Sequence, residues 1–187
     1  MDNGLDPDER AALVATLRRM ELIGAQEEPA LSPLSGGVSS QIVRADTARG
    51  AVCIKRALAK LRVAAQWSAP PERNAAEVAW IRLASRLVPG AVPEVLAQDW
   101  QTQTFAMTFF DPAEYSVWKH DLRDGRVDVS IARSVGARLA AIHHGTSRNG
   151  DVERTFATDA NFFACVSSLT FSRARTSTRI AQWRCAR

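Results

Sequence analysis

The order of hydrophobic periods along this chain limits its fold more than any other feature. Two short β-rich runs, "SSQIVRAD" and "GAVCIKRA", are separated only by "TAR", and two more, "EVLAQDW" and "TFAMTFF", surround the polar turn "QTQ". Turns this short join strands lying side by side and antiparallel. Between the pairs, "ERNAAEVAWIRLASRL" follows the Pro70–Pro71 break and places Ala76, Trp80, Leu83 and Leu87 on one helical stripe. Ahead of them, "DPDERAALVATLRRM" has Asp6 as N-cap, Pro7 at the first helical position and Glu9 three residues on, the signature of a capping box, with Leu13, Leu17 and Met20 as its apolar face. A last helix, "VSIARSVGARLAAIHHG", carries Ile131, Val135, Leu139 and Ile142 and is expected to stop at Gly145. The predicted order is helix, β, β, helix, β, β, helix, an α+β fold built on an antiparallel sheet.

Several function classes recede at this level. With 46% hydrophobic and 24% charged residues the composition is that of a soluble globular protein, and no apolar run approaches the ~18 residues of a membrane span. The amino terminus is acidic and lacks the basic and apolar regions of a secretory signal, so a cytoplasmic location and no membrane partner are expected. Cys53, Cys165 and Cys185 have no metal-ligand spacing and imply neither a disulfide framework nor a zinc site. Cys53 reads as a small buried apolar residue. His143 and His144 suit the negative end of a helix dipole.

The net charge of +4 is unevenly distributed. Of the 24 basic side chains, five arginines lie in residues 165–187 without a single acid, which leaves 19 against 20 acidic side chains in the rest. Such a tail could bind nucleic acid through phosphates, but the near-neutral body offers no matching basic face, and nucleic acid is the less favoured partner.

Lys55 closes the strand "VCIK" a little downstream of "SGGVSS". A lysine at a strand end offers a phosphate a compact charge on a long stem, and an acid must hold it in place. Glu77 on the following helix is the natural partner, with Glu72 as the runner-up. The turn Gly36, Gly37, Val38, Ser39, Ser40 would offer backbone N–H groups and small hydroxyls to a phosphate.

These residues carry a resemblance. From about residue 30 to 164 the chain resembles the aminoglycoside phosphotransferase and choline kinase-like group, which shares the protein-kinase fold: "LSGGVSSQIVRAD" as the phosphate-covering hairpin, "VCIK" as the counterpart of the kinase V-A-I-K strand, "ERNAAEVAWIRLAS" as the Glu-bearing helix, "TFAMTFFDP" as strand and hinge, and "VGARLAAIHHGT" as the first long helix of the second lobe. The resemblance implies an ATP- and Mg²⁺-dependent phosphotransferase acting on a hydroxyl of a small-molecule substrate. It implies that Lys55 contacts ATP phosphates and pairs with Glu77. Met107 would then back the adenine pocket, and the backbone of Thr108 through Phe110 would bond the adenine edge. Thr108 stands where many of these kinases have Glu.

The same group places its catalytic base and a metal-binding Asn in an H-G-D…N loop, with a later Asp on Mg²⁺. This sequence contains no H-G-D; "HHGT" at 143–146 has Thr146 where the acid would stand, so no catalytic or metal-binding residue is assigned. The loss of acids and gain of Arg and Ser after residue 164 suit a reading-frame shift. The expected organisation is an N-terminal helix (1–25), a kinase-like nucleotide-binding lobe (26–112), the start of a truncated helical lobe (113–164) and an aberrant tail (165–187), inactive in transfer as it stands. A non-catalytic nucleotide-binding or interaction module is the alternative.

Overall fold

The computed structural model describes residues 4–34, 39–58, 70–71 and 73–157. Helix α1 spans Pro7–Arg19, and strands β1, β2 and β3 span Ala30–Pro33, Ser40–Thr47 and Gly50–Ala57. Helix α2 (Arg73–Leu87) leads to β4 (Val95–Asp99) and β5 (Thr104–Thr108), followed by α3 (Trp118–Arg123), α4 (Val129–Thr146) and α5 (Gly150–Thr155). The result is an α+β fold whose five strands, all antiparallel, lie in the order β1-β2-β3-β5-β4. The arginine tail lies outside the described residues.

The β2–β3 hairpin turns on Ala48 and Arg49 between the paired residues Thr47 and Gly50. Gly50 has φ of +115°, a backbone conformation open to glycine and strained for any side chain. Strand β1, absent from the expectation, is only four residues long and ends in Pro33. It pairs with β2 at the sheet edge, where a proline costs no hydrogen bond within the ladder.

The two faces of the sheet bury different helices. Leu13, Val14, Leu17 and Met20 of the α1 region meet Leu31, Val43, Ala45, Val52, Ile54 and Ala106 on one face. Val78 and Ile81 of α2 meet Phe105 on the other. Asp6 caps α1 as expected, accepting from the Glu9 N–H at 2.8 Å. The Glu9 carboxylate does not complete the box; it accepts from Gln41 Nε2 at 3.3 Å and lies 3.8 Å from Arg56. Glu9 therefore bridges helix to sheet, because two sheet donors lie within its reach.

Two helical expectations need correction. The buried residues of α2 are Asn74, Val78, Ile81 and Ala84, not the stripe Ala76, Trp80, Leu83, Leu87. The helix is apolar on two adjacent sides, and the side bearing Trp80 and Leu83 turns toward α4 and α5. Gly145 does not stop α4, which runs on to Thr146. A Cβ on Gly145 would stand 2.6 Å from Leu87 Cδ2, so the residue's smallness serves the approach of α4 to α2.

Candidate functional site

Side chains directly opposite in a sheet share a face. Lys55 is in register with Ile42 on β2 and Phe105 on β5, and Cys53 with Arg44 and Met107. Because Phe105 packs on α2, this is the α2 face. Lys55 is brought there by strand alternation alone.

Glu77 reaches the same place through α2. The Lys55 Nζ donates to Glu77 Oε1, closing an ion pair between β3 and α2, with the lysine side chain 18% exposed and the glutamate 37%. Two residues that sequence reasoning passed over set the rotation of α2. Arg73 donates to the carbonyls of Ser39, Leu58 (3.0 Å) and Pro70 (2.8 Å). Asn74, almost wholly buried, donates from Nδ2 to the Gln103 carbonyl at 2.5 Å. Their signal was present in the period Asn74, Val78, Ile81, Ala84, a stripe with a polar residue at its head. A buried amide must find a partner, and Gln103 at the β4–β5 turn provides it.

The remaining expected site residues are placed as follows. Ser40 is buried at the first position of β2 opposite Ala57, and the Ser39 carbonyl accepts from the Leu58 N–H at 3.1 Å, extending the β2–β3 ladder by one bond. Gly36, Gly37 and Val38, with Glu72, lie outside the described residues. Met107 is half-buried and packs against the α2-facing core. Thr108 has its N–H engaged by the Glu94 carbonyl at 3.0 Å, and its hydroxyl accepts from the Glu94 N–H at 2.7 Å. Among the described residues, Phe109 and Phe110 form no backbone hydrogen bond. The Phe110 ring packs on Tyr115 with centroids 4.7 Å apart.

Arg44 adds a second cation to this face. Its guanidinium lies 4.7 Å above the Phe109 ring and 2.7 Å from Asp46. Burial pushes the Cys53 thiol up, and the nearby Lys55 charge offsets only part of that rise, so this cysteine is held as an unreactive thiol. Among the described residues no cluster of three or more His, Cys, Asp or Glu could hold a metal ion, and none of the helices is long and apolar enough to cross a membrane.

No protein-family model and no curated protein matches the chain. Among solved structures, the chain is similar to a candidate fructosamine-3-kinase from Thermobifida fusca YX-ER1, with 20% identity and a TM-score of 0.34. The match covers 52% of this chain and 31% of that one, so the chain spans under a third of the length of the structure it resembles.

Proposed function

We propose that this chain provides the nucleotide-binding lobe of a kinase-like phosphotransferase of the aminoglycoside phosphotransferase and choline kinase-like type, with ATP as its ligand. The observation that carries the reading is the Lys55–Glu77 pair, which joins the third strand to the helix behind it, beside the strand that runs on into Phe109 and Phe110, whose backbone makes no hydrogen bond among the described residues. Lys55 would bind the phosphates and Glu77 would hold its ammonium in place; the backbone of Phe109 and Phe110 would meet the adenine edge. In the whole enzyme the chemistry would be transfer of the γ-phosphoryl to a hydroxyl of a small molecule.

A second reading follows from the same residues. With no H-G-D in the sequence, the chain as it stands binds nucleotide without transferring phosphate, as a non-catalytic module. Calorimetric titration of the full chain with ATP, ADP and adenosine tests the shared premise. Losing a charge-assisted contact of roughly 1.5–3 kcal/mol, Lys55→Ala should weaken ATP binding about 10- to 100-fold and leave adenosine nearly unaffected. Glu77→Ala should produce a smaller loss in the same direction. Absence of ATP binding, or equal affinity in Lys55→Ala, refutes the proposal. Release of ADP with a phosphorylated acceptor separates enzyme from module.

A further inference from the structure

On the side of α2 away from the sheet, a groove runs between that helix and α4–α5. At one end Trp80, Leu139, Ile142 and Phe156 enclose about 280 Å³ of mostly apolar space. Leu83 and Val152 continue it into a second hollow of about 380 Å³, edged by Arg82 and Arg86. The groove is open to solvent along its length, with Trp80 45% and Leu139 48% exposed. Its titratable groups are His143 at the apolar end and Asp151 at the other, and the Asp151 carboxylate is already engaged by Arg154.

Arg82 and Arg86 are one helical turn apart, and among the described residues neither has an acidic or hydrogen-bonding partner. Ten of the other thirteen arginines among the described residues make ion pairs or hydrogen bonds to oxygen; what sets Arg82 and Arg86 apart is that the two lie together at one end of this groove. An open apolar trough ending in two uncompensated cations complements an amphipathic segment with acids beyond its apolar anchors. From Trp80 to Arg86 the groove follows α2 for about 9 Å, enough for roughly two turns of a partner helix. We propose that this groove is a docking surface for an acidic amphipathic helix of a protein partner, whose apolar residues at i and i+3 or i+4 fill the Trp80–Leu139 end and whose carboxylates meet Arg82 and Arg86. The contact is small, in the range of transient complexes.

The test uses the full chain and a fluorescein-labelled helical peptide of about 16 residues, roughly four turns, with Leu anchors at helical spacing and Glu at one end. A companion peptide has Lys in place of Glu. Anisotropy should show saturable binding of the Glu peptide. The double variant Arg82→Glu, Arg86→Glu should bind it about tenfold more weakly and should prefer the Lys peptide, a charge swap that simple loss of fold cannot mimic. Leu139→Glu, at an exposed position, should remove binding of both while circular dichroism stays native. Absence of saturation overturns the proposal, as does binding indifferent to the arginine swap. A concentration-dependent dimer that Leu139→Glu disperses and the peptide competes away would place a second copy in the groove and likewise overturn it.

Discussion

Asp99 ties the first helix to the far edge of the sheet, and its removal is the most informative perturbation of the fold. Its side chain is 7% exposed and accepts from Arg19 Nε at 2.9 Å, Arg19 Nη2 at 2.6 Å, Thr102 Oγ1 at 3.1 Å and the Gln101 N–H at 2.9 Å. In Asp99→Ala the Arg19 side chain, 43% exposed, is rehydrated, so the paired contact is discounted to about 1–1.5 kcal/mol. The Gln101 amide loses its acceptor, for about 1 kcal/mol more, while Thr102 keeps its bond to Thr104 at 3.1 Å. The expected cost is roughly 2–2.5 kcal/mol in urea unfolding at pH 7, against about 1 kcal/mol for Asp99→Asn. Burial by itself raises this carboxyl's pKa, but the hydrogen bonds from Arg19, Thr102 and the Gln101 backbone outweigh it and bring it below the ordinary value. A folded pKa below the unfolded one gives stability that is complete above about pH 4 and is lost as pH falls through the folded value. The difference between wild type and Asp99→Ala should therefore shrink below about pH 4. A double-mutant cycle with Arg19→Ala should give coupling of about 1 kcal/mol or more. Coupling within about 0.3 kcal/mol, or a pH-independent difference, would refute the reasoning.

Other outcomes follow from the packing. Leu17, fully buried between α1 and the sheet, should cost about 3–4 kcal/mol as Leu17→Ala, whereas Leu139→Ala at a 48% exposed position should cost under about 0.5 kcal/mol; chemical denaturation compares them directly. Gly145→Ala sets a helix-propensity gain of ~1 kcal/mol against displacement of Leu87, so its stability change should stay within about 1 kcal/mol and become stabilising in a Leu87→Ala background. Cys53, 6% exposed with its thiol pushed up by burial, should react with N-ethylmaleimide at least about tenfold more slowly in the native chain than in urea, as followed by peptide-resolved mass spectrometry. Equal rates would place Cys53 in an accessible site.

Much of this architecture was legible in the sequence because it is locally encoded. The paired β-rich runs, their short turns, the Asp6 cap and the Leu13–Leu17–Met20 face all appear where their periods place them. Lys55 and Glu77 were found for the same reason: a lysine at a strand end and an acid on the next helix are both local patterns, and the pair forms. Strand β1 was hidden because four residues with a terminal proline carry little period of their own. The Arg19–Asp99 tie joins residues 80 positions apart and leaves no local trace.

What the sequence determined by itself is therefore the list of elements and the residue types offered to the site, since alternation and helical period arise from backbone geometry within a few residues. The tertiary structure decided which side of α2 meets the sheet. Both sides are apolar, so hydrophobic burial alone barely separates them. The choice falls to the face whose leading polar residue, Asn74, finds the Gln103 carbonyl and whose neighbour Arg73 ties down Ser39 and Leu58. An unpaired buried amide costs more than a change of apolar face gains, and that difference turns Glu77 toward Lys55 and leaves Trp80 in the outer groove.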